Sequence, residues 1–336
     1  MVARMTIKEI ARLSGVGVST VSRVLNKRPD VNEDTRGRVM EVIERYGYEP
    51  NSNAKHLKQL STDCVAVIVR GRNNLFFSGI LELLQKRIEA TGFRFLPHYI
   101  DENDDEAAAA LRVYSERKVR GIIFMGGCHT DNGAMLSRLP IPCVYSTVNA
   151  AESHAPNVSS VSVDDRQGAK KAVDYLFDCG HENIVILGGE TQGWNMAHQR
   201  YLGVLDSFKE HGKTLESGRF LVSTFSFSCA YERIKEYKGP DYTAIFAMSD
   251  TMAIGAARAL MDSGKRVPED VSVIGYDGIE LAQYYHPALA TMRQPQQELA
   301  DRSVELLLES MDTDCAPKHI QLETELIRGA SVKRIG

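Results

Sequence analysis

Cysteine is sparse in this sequence, and its six cysteines never form a CxxC pair. Such scattered cysteines argue against a disulfide framework or a zinc site and favour a reducing compartment. Long hydrophobic runs are also missing, because the most apolar segments, such as 64–69 and 121–125, have only the length of a strand. A membrane span needs about 18 apolar residues, so none is predicted. A signal peptide is not expected either, since Lys8, Glu9 and Arg12 interrupt any apolar segment there.

Enzyme motifs are absent as well. No GxSxG, P-loop, HExxH or GxGxxG sequence occurs, and the nine histidines show no metal-ligand spacing. The glycine-bearing stretch GGETQG at 188–193 lacks the third glycine of a dinucleotide-binding loop. We therefore expect no catalytic residues, no metal site and no cofactor. With 336 residues, 43% of them apolar, the chain is long enough for two or three globular domains.

Positive charge is slightly outnumbered overall, with 40 Lys and Arg against 44 Asp and Glu, and it is unevenly distributed. The formal net charge is −4, yet residues 1–60 carry eleven Lys and Arg against seven Asp and Glu. The rest of the chain therefore has a net charge of −8. A basic N-terminal segment followed by an acidic body indicates that the N-terminal segment binds a polyanion.

The basic segment has the hydrophobic pattern of short helices. Thr6 caps a first helix that ends near Leu13, and Glu9 stands at the third helical position, as in a capping box. After the turn SGVG, four apolar residues mark the buried stripe of a second helix: Val18, Val21, Val24 and Leu25. A third helix is predicted over 33–46. This pattern is typical of a helix-turn-helix, whose second helix enters the major groove of DNA. A three-helix bundle with one polar face is the alternative.

A resemblance makes this interpretation specific. TIKEIARLSGVGVSTVSRVLN, followed by VNEDTRGRVMEVIERYGYEPNSNAKHL, is similar to the DNA-binding head and hinge of the LacI/GalR family of bacterial repressors. The resemblance implies a helix-turn-helix DNA-binding domain at 1–50 and a hinge helix or linker at 51–60. It also implies an effector-binding and dimerisation domain at 61–336.

The resemblance also implies which residues bind DNA. Val18 and Ser19 would read base edges. Phosphate or base contacts are implied for Thr20, Ser22, Arg23 and Asn26, and phosphate contacts for Thr6, Thr35, Tyr48 and Asn51. The expected set is Thr6, Gly17, Val18, Ser19, Thr20, Ser22, Arg23, Asn26, Thr35, Tyr48, Asn51, Ala54, Lys55 and Leu57. Hydroxyls and an arginine suit phosphate oxygens, and a valine methyl can pack on a thymine methyl. Gly17 departs from the family, which usually has serine or a similar residue there, so one cap and one phosphate contact are lost.

The segment from Asn51 to Lys58 has two interpretations. In the family this segment folds on DNA as a hinge helix, and Leu57 matches the leucine that wedges open a central base step. The alternative is a solvated linker. Its few apolar residues predict disorder away from DNA, as a hinge switch requires.

Strand and helix patterns alternate from residue 63 onward. Buried strands are predicted at 64–69, 93–99, 121–127, 142–147, 183–189, 220–225, 243–248 and 271–277, with helices such as 78–91 and 105–117 between them. This alternation predicts an α/β body of two similar, doubly wound parallel-sheet subdomains that face each other across a cleft. The resemblance implies a fold similar to periplasmic binding proteins. The expected N-subdomain is about 61–160 plus 292–320, and the C-subdomain is about 161–291 plus 321–336.

Polar and aromatic residues at strand ends suit a small polyhydroxylated ligand. Carboxylates accept paired hydroxyls, arginine donates in a fork, and rings cover the apolar face of a sugar. By resemblance, the effector-binding residues are Asn74, Phe76, Phe77, Arg200, Phe225, Ser249, Asp250, Asp277 and Gln294. Asp250 has an alternative role as the cap of a helix that starts at Thr251. Trp194 is expected to serve in loop packing.

These observations predict an effector-responsive transcription regulator, a repressor of a carbohydrate-utilisation operon in the bacterial cytoplasm, associated with the nucleoid. Its expected partners are operator DNA, a sugar-like effector and a second copy, because one short recognition helix reads too few bases. The helix around Ile80 to Ile88 is a candidate for the dimer surface, or else packs inside its own half. Three alternatives stay open: a purine-type corepressor, a phosphorylated carrier protein as effector and, in a different class, a solute-binding protein.

Overall fold

The computed structural model describes residues 6–25, 31–46, 63–71, 74–101, 104–127, 133–191, 195–312 and 315–335. The chain divides into two compact units, an N-terminal unit up to Ser61 and a C-terminal unit from Thr62. No described helix is both long enough and apolar enough to cross a membrane.

The N-terminal unit contains three helices, α1 (Ile7–Ser14), α2 (Val18–Leu25) and α3 (Glu33–Tyr46). Thr6 caps α1 as predicted: its hydroxyl accepts from the Glu9 backbone N–H, and its own N–H donates to Oε2 of Glu9 over 2.7 Å. The helix ends at Gly15, which has a left-handed φ of 67° that favours glycine. This conformation turns the chain sharply into α2.

A small core holds these helices together. Val21 and Val24 of α2 are buried against Ile10 and Ala11 of α1 and Val39 of α3. Of the predicted stripe, Val21 and Val24 are confirmed as the inner face of α2, and Leu25 is half-buried. The inclusion of Val18 is wrong, because it lies at the start of α2 and is 42% exposed.

The C-terminal unit contains two six-stranded sheets. The strands are β1 (Cys64–Arg70), β2 (Arg94–Ile100), β3 (Gly121–Met125), β4 (Cys143–Ser146), β5 (Val158–Val163), β6 (Ile184–Gly188), β7 (Phe220–Val222), β8 (Ala244–Ala247), β9 (Ser272–Asp277), β10 (Ala290–Arg293), β11 (His319–Leu322) and β12 (Glu325–Ile327). The first lobe has the order β11-β5-β4-β3-β1-β2, and the second has β12-β10-β9-β8-β6-β7. All paired strands are parallel except β12, which runs antiparallel to β10.

Helices cover both faces of each sheet. They are α4 (Leu75–Ala90), α5 (Glu106–Arg117), α6 (Gly133–Leu136), α7 (Asp165–Asp178), α8 (Met196–Glu210), α9 (Phe227–Lys235), α10 (Asp250–Asp262), α11 (Glu280–Tyr284) and α12 (Gln296–Asp312). In the first lobe α4 packs against α12, and in the second lobe α7 packs against α8 and α9 against α10. This is the doubly wound arrangement that the alternating pattern predicted.

The chain crosses between the lobes at three places. It leaves the first sheet after Val163, returns before α12 and leaves the first sheet again after Leu322. Val163 pairs with Leu322, and Arg293 pairs with Glu325, so the three crossings lie side by side.

Some elements differ from the sequence-based expectation. Strands β5, β10, β11 and β12 were not predicted, and α4 begins at Leu75 rather than Ser78 because Asn74 caps it. The stripe of Ile80, Leu84 and Ile88 on α4 is fully buried in the core of the first lobe. This stripe therefore packs inside its own lobe, and the role of the helix at a dimer surface stays a prediction.

Candidate functional site

The outer face of α2 carries the residues expected to meet DNA. Val18 is 42% exposed, although valine is more often buried. Ser19 and Arg23 are exposed, and Thr20 and Ser22 are half-buried beside them. Because Val21 and Val24 point inward, these five residues share the solvent face of one short helix. An apolar methyl group on this face suits contact with base edges on the floor of a major groove. The hydroxyls and the guanidinium suit contact with the phosphates at its rim.

Thr6 and Thr35 lie at the starts of two other helices. Thr6 is the exposed cap of α1, and Thr35 lies in the first turn of α3, where Nη2 of Arg38 is 3.5 Å from its Oγ1. Helix N-termini expose backbone N–H groups that attract phosphate. Their positions therefore fit phosphate contacts.

Gly17 directly precedes α2 and has no side chain that could cap this helix. Its carbonyl accepts from the N–H groups of Thr20 and Val21, over 2.9 and 3.1 Å. A Cβ at this position would come no closer than 3.5 Å to Oγ of Ser19, which is ordinary contact. A larger residue therefore fits here, and the glycine is not required by space.

Several predicted positions lie outside the described residues. They are Asn26, Tyr48, Asn51, Ala54, Lys55 and Leu57 of the expected DNA interface, together with Trp194.

In the C-terminal unit, a concave region lies where the two lobes meet. Its walls include Val148 and Asn149 after β4, and Met196 and Gln199 on α8. The first crossing, residues 163–166, forms part of the same wall. Ligands of doubly wound sheets bind at the carboxyl ends of the strands, so this region is the candidate effector site.

Arg200 is the centre of a buried polar network on the second lobe. It is 1% exposed, its Nε donates to Oδ1 of Asp165 over 2.8 Å, and its Nη1 donates to the Met248 carbonyl. The guanidinium carbon stands 3.7 Å from the centre of the Tyr276 ring. Burial lowers the pKa of Arg200, but the charges of Asp165 and Asp277 outweigh it and raise that pKa. The arginine is therefore fixed and charged.

Asp277 ends β9 with a left-handed φ of 105°, which is rare for a residue other than glycine. Its Oδ1 accepts from Nε2 of Gln294 over 2.8 Å and lies 3.5 Å from Nη2 of Arg200. Burial raises the pKa of Asp277 to about 6, although Arg200 and Gln294 oppose the rise. Strained backbone and a perturbed carboxylate at a strand end are features of binding sites.

Ser249 and Asp250 lie at the start of α10. Oγ of Ser249 accepts from the Met252 N–H, so Ser249 caps the helix and Asp250 is its first residue. The alternative interpretation of Asp250 as the cap is therefore wrong. Its buried Oδ2 accepts from the Ile279 N–H over 2.8 Å, which ties α10 to the segment after β9. Burial, and then the charge of Asp277, raises the pKa of Asp250 well above its usual value.

Two of the three expected aromatic residues are deeply packed. Phe76 and Phe77 are 3% and 6% exposed and belong to the core of the first lobe. Oδ1 of Asn74 accepts from both of their N–H groups. Phe225 is half-buried, and its ring packs on Gly189, where a Cβ would lie 2.6 Å from Cε2. The structure thus brings Arg200, Asp277 and Gln294 together, and Phe76 and Phe77 are buried to a similar degree on the first lobe.

Sequence analysis missed several polar residues at this edge. Asp165 and Tyr276 complete the Arg200 network. On the first lobe, the hydroxyls of Ser146, Thr147 and Ser162 are buried with no hydrogen-bond partner in the described part of the chain. Buried polar groups are normally paired, so these hydroxyls are candidate ligand contacts. The signal was weak, because serine-rich β5 does not look like a strand.

A helix-turn-helix unit followed by a two-lobed α/β unit with a polar network at the strand ends defines a class: ligand-sensing, DNA-binding regulators. A model of bacterial regulatory proteins of the lacI family matches residues 6–51. A model of a periplasmic binding protein-like domain matches residues 173–332.

Relatives match nearly the whole chain. The HTH-type transcriptional regulator MalR of Clostridium butyricum is 36% identical over 331 residues, covering 96% of this chain and 98% of MalR. The HTH-type transcriptional repressor PurR of Vibrio vulnificus is 32% identical over 336 residues, covering 98% and 99%. The solved complex of the regulator CelR with cellobiose is 28% identical with a TM-score of 0.72, covering 98% of this chain and 100% of that one. A LacI-family regulator, CCPA of Weissella paramesenteroides with bound glucose, is 26% identical with a TM-score of 0.68, covering 81% and 99%.

The chain therefore belongs to the LacI family of bacterial transcription regulators. It is a DNA-binding regulator and not an enzyme. The fold class and the family predicted from the sequence are confirmed.

Proposed function

We propose that this protein represses a carbohydrate-utilisation operon and that a sugar-like ligand between the lobes changes its affinity for operator DNA. The observation that carries the proposal is the arrangement of Arg200, Asp277 and Gln294. One carboxylate, held by a guanidinium and an amide at 3.5 and 2.8 Å, lies at the carboxyl edge of the second sheet. Such a carboxylate accepts hydroxyl hydrogens. The solved relatives that bind cellobiose and glucose support this ligand class.

The proposed DNA-binding surface is the outer face of α2, with phosphate contacts from Thr6 and Thr35. We assign DNA binding to 1–50, the hinge to 51–60 and effector binding to 61–336, as the sequence indicates. The protein would act as a homodimer in the bacterial cytoplasm, on the nucleoid, since paired recognition helices are needed to read an operator. The coupling is a linkage: a ligand that prefers one arrangement of the lobes changes operator affinity by some factor, and operator DNA then changes ligand affinity by that same factor.

The first test is a thermal-shift screen of the full chain against sugars, sugar phosphates, nucleosides and purines. A ligand at 100 times its Kd adds about 2.7 kcal/mol of stability, which such a screen detects. We expect a saccharide to raise the melting temperature of the wild type and to have little effect on Asp277→Asn. Asp178→Asn, an exposed aspartate on α7, is the matched control and should respond like the wild type.

The second test uses operator DNA selected from a random duplex pool. Fluorescence anisotropy at fixed salt should show that the same saccharide changes the Kd for this DNA in the wild type and not in Asp277→Asn. A nucleoside or purine as the only hit would replace the carbohydrate assignment with a purine-type corepressor. DNA binding that no ligand alters would contradict the proposed switch.

A further inference from the structure

The amino edge of the first-lobe sheet carries unpaired positive charge. Elsewhere on this lobe, cations such as Arg87, Arg302 and Lys318 are held in ion pairs with acidic side chains. Four exposed cations at the amino edge form no ion pair with any described residue: Arg117, Lys118, Arg120 and Arg138. Their charge is therefore available to a partner outside the chain.

Three of these cations lie around the starts of two neighbouring strands. Arg117 is the last residue of α5, Lys118 follows it, and Arg120 directly precedes β3. The backbone N–H of Arg120 donates to the carbonyl of Cys64, the first residue of β1, over 2.8 Å. Burial raises the pKa of the Cys64 thiol, and the charges of Arg94 and Arg117 oppose that rise. Arg117 therefore lies close to the start of β1.

A groove joins this cluster to the neighbouring loop. Lys118 and Arg120 line the groove together with Pro140 and Pro142, and Arg138 lies in the same loop before β4. Lys118 also has a left-handed φ of 50°, the conformation in which helices commonly end on glycine. A lysine there costs backbone energy that glycine would not. The helix end by itself does not explain why this position is charged.

The amino edge is also where the chain arrives from the N-terminal unit. Asp63 leads into β1, and only residues 47–62 separate it from the end of α3. Even fully extended, such a segment spans at most about 60 Å, which is less than two turns of duplex DNA. A duplex bound by α2 is therefore within reach of this edge.

We propose that Arg117, Lys118, Arg120 and Arg138 form a second DNA-binding surface, which contacts phosphates of the duplex outside the bases read by α2. Such contacts add affinity without reading sequence. The chain after residue 60 has a net charge of −8 and repels DNA as a whole, so a local cationic surface decides which side of it a duplex approaches. This inference does not depend on the ligand proposed between the lobes.

The experiment is fluorescence anisotropy of the full chain with two duplexes that carry the same selected operator. One duplex ends at the operator, and the other is extended on each side by about 15 base pairs, or one and a half helical turns. The wild type should bind the longer duplex more tightly. A variant with Arg117→Ala, Lys118→Ala and Arg120→Ala should bind both duplexes equally. On the longer duplex, its slope of log K against log salt should be less steep by about 2.7, since each phosphate contact contributes about 0.9.

Two further variants control for net charge and for folding. Lys209→Ala, Lys238→Ala and Arg334→Ala together remove the same charge from exposed positions of the second lobe and should behave like the wild type. Lys118→Gly removes one charge where the backbone favours glycine, so it should melt no lower than the wild type. It should lower the slope on the longer duplex by about 1.

Hydroxyl-radical footprinting of the longer duplex locates the contacts. The wild type should protect the backbone on both the operator and its flanks, and the first-lobe variant should lose only the flanking protection. Equal affinity of the wild type for the two duplexes would overturn the inference. So would a preference for the longer duplex that the first-lobe variants keep, or that the second-lobe variant loses equally. None of these results bears on the proposed function, which fails only if no ligand changes operator affinity.

Discussion

Gln294 holds Asp277 at two points. Its side-chain Nε2 donates to Oδ1 of Asp277 over 2.8 Å, and its backbone N–H donates to the Asp277 carbonyl over 3.1 Å. These bonds stabilise the left-handed backbone at Asp277 and aim its carboxylate. The end of β9 is consequently fixed by a residue that directly follows β10.

The ionisation of Asp277 makes stability depend on pH. Its pKa of about 6 in the folded protein lies above the 3.8 of an ordinary aspartate, so the folded state holds an extra proton between these values. The stability from this group is fully present below about pH 4 and is lost as the pH rises through about 6. Asp277→Asn removes this dependence. Urea unfolding at pH 4, 5, 6 and 7 should show the wild type losing stability relative to the variant as the pH rises.

The affinity for a saccharide should depend on pH in the opposite direction from stability. A protonated Asp277 has lost one acceptor site, so saccharide affinity should fall as the pH is lowered through about 6. Titration calorimetry with a saccharide found in the screen measures this. Equal affinity at pH 5 and pH 7 would show that the carboxylate does not contact the ligand.

Removal of Arg200 should strongly destabilise the C-terminal unit. Arg200→Met leaves Asp165 and Asp277 buried without their counter-ion, a loss of about 3–5 kcal/mol. Arg166→Met breaks a pair whose side chains are 50% and 34% exposed, and it should cost less than about 1 kcal/mol. Chemical denaturation of both variants compares a buried pair with a surface pair in the same lobe. Similar losses for the two would contradict the role given to burial.

Arg23→Ala should weaken operator binding without affecting the fold. Arg23 is exposed on the outer face of α2, so its loss costs no core packing. One lost phosphate contact lowers the slope of log K against log salt by about 1. Anisotropy titrations at several salt concentrations measure this slope, and Arg12→Ala on α1 is the control. An unchanged slope would mean that Arg23 does not contact a phosphate.

Gly17→Ser should stabilise the N-terminal unit. A serine oxygen can cap α2, where glycine cannot, and a Cβ fits at this position. The gain is a few tenths of a kcal/mol, whereas Gly17→Ala should destabilise, because alanine is the poorer cap. Thermal unfolding of the three proteins gives the order serine, glycine, alanine. The serine should also strengthen DNA binding by restoring a hydroxyl that faces the phosphates.

The sequence predicted local features well and tertiary ones poorly. The cap at Thr6 and the inner stripe at Val21 and Val24 depend on residues within one helical turn, and the structure has them as predicted. The pairing of Arg70 with Glu106 joins residues 36 positions apart, and no periodic pattern encodes it.

The same limit explains the errors. Strand β5 reads VSSVSV, so its three serines hid a fully buried strand and with it Asp165, which follows shortly after. Phe76 and Phe77 lie in the first turn of the helix that Asn74 caps and are buried in the core, and their contact with a ligand stays a prediction. The position of a residue at the end of a strand predicts that it lies at an edge of the sheet. It does not predict the direction in which its side chain points.

The three crossings between the lobes have a mechanical consequence. Backbone pairing places them side by side, with Val163 next to Leu322 and Arg293 next to Glu325. Three adjacent connections resist sliding and twisting far more than bending about the line that they form. The motion of the two lobes that meets the least resistance is therefore a change in the angle between them. When a ligand alters this angle, one lobe rotates relative to the other as a rigid body. Parts of the first lobe far from the ligand are then displaced without a chain of side-chain contacts between them and the ligand.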